Sequence, residues 1–99
     1  MRLYMEYYPY ERYTETPLKR VRITGADLRE CLIKMVRNMG WGLYLSVETI
    51  EEENMTPEDI IESLKSTNGD GCDFINRLKN EDTGEVYIDE GWVDEEEDW

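Results

Sequence analysis

Ninety-nine residues leave a chain room for one modest hydrophobic core and not for two. A single domain is therefore expected over residues 1–89, with an acidic tail over residues 90–99. Seven Tyr, three Trp and five Met indicate that the core exists, because disordered chains are poor in such residues.

The hydrophobic pattern switches between strand and helix periods along the chain. Residues 2–8 are rich in aromatics, which suit a pleated surface, and place Leu3, Met5 and Tyr7 on one side and Tyr4, Glu6 and Tyr8 on the other. Pro9 ends this strand, and the polar stretch from Pro9 to Pro17 reads as a loop. In residues 18–23, Val21 and Ile23 alternate with Arg20 and Arg22, which predicts a half-buried strand paired antiparallel with the first. Thr24, with Asp27 three positions on, has the spacing of a capping box. Leu28, Leu32, Met35, Val36 and Met39 then follow helical spacing, and Gly40 supplies a stop. Arg29, Lys34 and Arg37 lie off that stripe and give the helix a basic outer face.

Residues 41–49 alternate again and read as a strand, with Leu43, Leu45 and Val47 on one face and Tyr44, Ser46 and Glu48 on the other. A polar link, Glu51 to Asn54, leads to a second helix. Thr56 is its N-cap and Pro57 its first residue, and Glu58 and Asp59 put negative charge at the positive end of the dipole. Ile60, Ile61 and Leu64 form its apolar stripe, and Asn68-Gly69 closes it. Residues 72–79 fit two periods. Phe74, Ile75 and Leu78 suit a helix turn, whereas Cys72, Phe74, Asn76 and Leu78 suit a strand face. The strand is preferred, because Asp82-Thr83-Gly84 follows as a hairpin turn and residues 85–89 return as a final strand. The expected fold is α+β in the order ββαβαββ, a mainly antiparallel sheet of about five strands with two helices packed on one face.

No stretch approaches the roughly 18–20 apolar residues that cross a membrane. Met1 to Glu6 carries no apolar segment of the secretory kind, so a cytoplasmic location in the host cell is expected. Cys31 and Cys72 lack CxxC spacing and are expected to be free thiols in a reducing compartment.

The usual catalytic groups are scarce. The chain has no histidine, and so lacks the commonest general base at neutral pH and the commonest metal ligand. Neither cysteine has a histidine to activate it, and Ser46, Ser63 and Ser66 stand near no evident base. Paired carboxylates can hydrolyse glycosidic bonds, but among twenty-four acids any one pair reads first as surface charge. The run Asn68-Gly69-Asp70-Gly71 lacks the spaced glycines and Lys-Ser/Thr of a phosphate loop. Read as a calcium loop, it would place Lys79 where the bidentate Glu belongs. A non-enzymatic protein without metal or cofactor is expected.

Charge points to binding. The formal net charge is −13, and it is unevenly placed: residues 1–47 sum to +3 and residues 48–99 to −16. Such polarity bears on partners and association rates. Glu51, Glu52, Glu53, Glu58, Asp59 and Glu62 gather around the start of the second helix. Glu81, Asp82 and Glu85 sit on the hairpin, and Asp94, Glu95, Glu96, Glu97 and Asp98 form the tail. Carboxylates pair well with Arg, and a row of them can occupy a basic channel that otherwise holds phosphates. Tyr8 and Tyr10 flank Pro9 and are expected to be exposed aromatic anchors.

In length, in its run of acids from Glu48 to Asp98, in its lack of histidine and in its lack of catalytic groups, the chain resembles small acidic proteins of phages and other mobile elements. Anti-restriction and anti-CRISPR proteins are among these, and several act as DNA mimics. The segment Asp94 to Trp99 is locally similar to the acidic tails of bacterial single-stranded-DNA-binding proteins. The resemblance implies a basic protein partner, such as a CRISPR effector or other nuclease, with no direct nucleic-acid binding. The competing expectation is a structural or regulatory interaction module that docks through its tyrosine-rich strand. A monomer or a homodimer fits either reading, because an open sheet edge can pair.

Overall fold

In the computed structural model, residues 1–9, 18–39, 43–68, 70 and 73–91 are described. Their order is β1 (Arg2–Tyr8), β2 (Lys19–Thr24), α1 (Leu28–Met39), α2 (Val47–Glu52), α3 (Pro57–Thr67), β3 (Phe74–Asn80) and β4 (Val86–Asp89). The four strands form one antiparallel sheet in the order β2-β1-β3-β4. The α+β class and the antiparallel sheet agree with the sequence pattern. Its details do not, since among the described residues there are four strands and three helices in the order ββαααββ.

The difference lies in residues 43–52. Leu43 and Leu45 are buried while Tyr44 and Ser46 are exposed, so the alternation is real. No strand pairs with this segment among the described residues. Instead the Ser46 hydroxyl accepts a hydrogen bond from the Thr49 amide at 3.2 Å and starts helix α2. Val47 and Ile50 then face inward at helical spacing. Glu51 and Glu52, read as part of a link, are the last residues of α2. The start of α1 is also corrected. Thr24 ends β2, and the capping pair is Asp27 and Glu30. The Glu30 amide donates to Asp27 Oδ1 at 2.9 Å, and the Ala26 amide donates to Glu30 Oε1 at 2.7 Å. The α3 start matches its reading, with a complete capping box between Thr56 and Asp59 and Pro at the first turn.

The core joins the inward positions of the sheet to all three helices. Leu3, Met5, Ile23, Ile75, Leu78 and Ile88 meet Leu32, Met35, Ile50, Ile60 and Leu64. Arg29, expected on an outer basic face, is half-buried. Its Nε donates to the Met55 carbonyl at 2.9 Å, and one terminal nitrogen donates to the Ile50 carbonyl at 3.5 Å. It therefore ties α1 to the carbonyl-bearing end of α2, where a cation is favoured.

The opposite face of β1 is polar. Glu6 is buried, and a buried carboxylate needs partners. The Tyr4 hydroxyl donates to Glu6 Oε2 at 2.6 Å, the Asn76 amide donates to Oε1 at 3.3 Å, and Arg20 Nε lies 3.8 Å away. Asn76 is the extra residue of a bulge, since Arg77 pairs with Glu6 and Ile75 with Tyr7. The Tyr4 ring lies between Arg22 at 5.0 Å and Lys79 at 5.5 Å, its cross-strand neighbours. The β3–β4 turn is built by Asn80. Its side-chain oxygen accepts from the Asp82 and Thr83 amides, and Gly84 adopts a positive φ of 83°. This is the hairpin that Asp82-Thr83-Gly84 foretold.

Two outcomes follow for stability. Burial first, and then the hydrogen bond to Glu6, pushes the Tyr4 hydroxyl up to about 12. Its folded value thus exceeds the ordinary value of about 10. The contribution is complete below pH 10 and is lost as pH rises from about 10 to 12, because the unfolded chain releases its proton first. A pH series of urea melts should show a fall of about 2 kcal/mol in this window, and Tyr4→Phe should remove that share. Thr56→Ala should cost about 1 kcal/mol by loss of the cap, read as a lower urea midpoint with an unchanged slope.

Candidate functional site

The acidic residues singled out in the sequence fall into two groups once the fold is known. One group is engaged within the molecule. Glu81 is half-buried between Arg2 Nε at 3.0 Å and Arg22 Nε at 3.1 Å. Asp82 accepts a hydrogen bond from the Arg2 amide at 3.1 Å and lies 3.8 Å from the N-terminal ammonium. Asp59 completes the α3 capping box. These three carboxylates hold the hairpin to β1 and β2 and fix the start of α3.

The second group is free. Glu51, Glu52, Glu53, Glu58, Glu62 and Glu85 are all exposed, and none forms an ion pair among the described residues. Glu58 and Glu62 project from α3 at i and i+4, and Glu85 precedes β4. Helix and hairpin bring them to one groove of about 310 Å³. Its floor is apolar, formed by Leu28, Ile61, Val86 and Tyr87. Val86, at the groove, is 49% exposed. Ile61, next to the fully buried Ile60, is partly buried against the core and lines the groove with its remaining surface.

The floor residues were absent from the sequence-derived site. A signal existed in the apolar pair Ile60-Ile61 and in the paired Val86-Tyr87. A second bulge between β3 and β4 sets Val86 opposite Lys79 and Ile88 opposite Leu78, leaving Tyr87 as the extra residue. Spacing alone does not reveal that shift.

Glu51 and Glu52 end α2, where the helix dipole favours cations. Glu53 follows as the C-cap, and the turn continues through Asn54 at φ 49°. Fold stability does not call for carboxylates at this helix end. Glu58, by contrast, sits in the first turn of α3, where its charge is favoured.

Of the two aromatic candidates, Tyr8 is half-buried at the end of β1 rather than exposed, while on the same strand Tyr4 is buried and Tyr7 half-buried. Burial, helped by Asp73, also raises the Tyr7 hydroxyl. Tyr10 and the tail residues Asp94, Glu95, Glu96, Glu97 and Asp98 lie outside the described residues, as does Cys72. Cys31 is a buried free thiol beneath the β1–β2 end of the sheet. Burial pushes its ionisation up, which disfavours the thiolate that nucleophilic chemistry requires. No helix among the described residues is long and apolar enough to cross a membrane.

The arrangement suits recognition of a basic surface. Its apolar floor accepts an aliphatic or aromatic side chain, or the methylene stem of an Arg or Lys, while the rim meets the charged head.

No protein-family model, curated protein or solved structure matches this chain.

Proposed function

We propose that this protein is a non-enzymatic inhibitor that binds a nuclease or other nucleic-acid-binding protein, of the anti-CRISPR or anti-restriction kind. It presents carboxylates where the partner would otherwise hold phosphates. The observation that carries this reading is the set of six exposed carboxylates without an ion pair among the described residues, three of them around one apolar groove. Solvated acidic faces are common on soluble proteins, but this one borders an apolar groove with the exposed Val86 on its floor.

The energetics favour a mixed interface. Carboxylates at the rim steer a basic partner and speed association, with an effect that salt weakens. A buried apolar centre slows dissociation. Val86 and Ile61 supply that centre, with Glu58, Glu62 and Glu85 around it. Glu51, Glu52 and Glu53 extend the negative surface along the α2–α3 turn. The partner is basic, membrane association plays no part, and the protein itself does not bind DNA.

Charge reversal separates function from folding. Replacing Glu51, Glu52 and Glu53 together by Lys changes the net charge from −13 to −7 and places cations at the end of α2. Thermal stability should stay the same or rise slightly, by up to about 1 kcal/mol. Capture of the partner from host-cell lysate should be lost. Retained capture at unchanged strength would remove this cluster from the interface. Val86→Ser should cost about 1 kcal/mol of stability at most, since the residue is half exposed in β4, while weakening capture from the folded protein. Equal capture by wild type and Val86→Ser would remove the groove from the interface.

A further inference from the structure

The opposite edge of the sheet has a different character, and its chemistry follows from the register. Gly25 and Met1 exchange two hydrogen bonds, amide to carbonyl at 3.1 Å and terminal ammonium to carbonyl at 2.9 Å. In an antiparallel ladder, hydrogen-bonded and non-bonded pairs alternate. Stepping by two makes Leu3 with Ile23, and Met5 with Val21, the bonded pairs of the β1–β2 ladder. Arg22 and Thr24 therefore turn their amides and carbonyls outward, away from β1. The Thr24 carbonyl accepts Lys34 Nζ at 2.9 Å. Among the described residues, the Arg22 amide and carbonyl have no backbone partner, and no strand pairs with this edge of β2.

Helix α1 runs beside this edge and leaves a channel. At the Thr24 end is a polar groove of about 280 Å³, lined by Lys34, Arg37 and Asn38 together with Arg22, Ile23 and Thr24. It adjoins a groove of about 210 Å³ whose wall is apolar, with Val21, Met35, Met39 and Tyr7. Arg22, Ile23 and Asn38 border both. The Arg22 guanidinium stacks over Tyr4 on the other sheet face, so β2 offers its backbone to this channel. Arg37 is exposed and has no ion pair among the described residues. Lys34 is held by Thr24 and lies 3.6 Å from Glu30.

We propose that this channel binds an extended peptide segment of a partner protein by strand addition at the β2 edge. The segment carries a carboxylate that meets Lys34 and Arg37 and, two residues along, an apolar side chain that enters the wall of Met35 and Met39. An unpaired strand edge supplies the main-chain hydrogen bonds, and alternate side-chain pockets supply the preference. The two cations set the charge of the segment. This surface lies on β2 and α1, at the other end of the sheet from β4 and the acidic groove, and its occupancy is independent of the function proposed above.

The test uses a capped synthetic peptide, Thr-Glu-Thr-Leu-Thr-Thr, and the full chain labelled for NMR. In the free protein the Arg22 amide should exchange rapidly with solvent. Saturating peptide should slow that exchange at least about tenfold, with shifts confined to β2 and α1. The Lys34→Glu, Arg37→Glu double variant, checked for an unchanged circular dichroism spectrum, should bind the peptide about tenfold more weakly. Peptide N-methylated at the amides facing β2 should not bind. No binding at about 1 mM peptide would overturn the proposal, as would binding without protection of Arg22. An Arg22 amide already protected in the free protein, with a dimeric mass, would overturn it in favour of a second copy at the edge.

Discussion

The buried carboxylate of Glu6 constrains this sheet more than any single apolar contact. It lies on the central strand β1, and it is satisfied by Tyr4, Asn76 and Arg20 together. A one-residue slip of β1 would turn Glu6 into the helix-covered face and expose Leu3 and Met5. The cost of an unpaired carboxylate in an apolar core excludes that register. The Asn76 bulge follows from the same requirement, since the extra residue lets β3 reach Glu6 with a side-chain amide while Leu78 still faces the core. Once β3 is fixed, Asn80 builds the hairpin and β4 returns next to it.

The placement of β4 has consequences for function. It sets Glu85 and Val86 beside Glu58, Ile61 and Glu62 of α3, residues more than twenty positions apart in the chain. The acidic groove therefore depends on the register of the sheet. At the other end, β2 and α1 make a channel whose charged side chains are Lys34 and Arg37. Among the described residues, the carboxylates Glu58, Glu62 and Glu85 line the groove beside β4, and the cations Lys34 and Arg37 line the groove beside β2.

Much of this architecture was legible in the sequence where a local signal had a local cause. The alternation of β1 and of β2 told which residues face inward. Thr56, Pro57 and Asp59 announced α3 because capping needs only neighbours. Asp82-Thr83-Gly84 resolved the ambiguity of residues 72–79 in favour of a strand, which runs as Phe74–Asn80. The segment from Leu43 to Glu52 misled because alternation in exposure is compatible with two backbones. Leu43 and Leu45 are buried in alternation, yet Ser46 caps a helix that Val47 and Ile50 then pack. The acidic composition was plain, but the difference between Glu81, paired with Arg2 and Arg22, and Glu62, exposed on α3 without an ion pair among the described residues, depends on contacts between residues 59 or more positions apart. The groove floor was hidden for the same reason, since Val86 and Ile61 meet only after β4 is registered with its bulge.

In the proposed role, the carboxylates of the α3–β4 edge replace nucleic-acid phosphates on a basic protein. The most direct measurement is capture of a partner from host-cell lysate on immobilised protein, followed by elution in a salt gradient and, separately, by duplex DNA. The captured partner should be a nuclease or other nucleic-acid-binding protein that leaves at moderate salt and is displaced by DNA. A captured partner indifferent to both salt and DNA would contradict it.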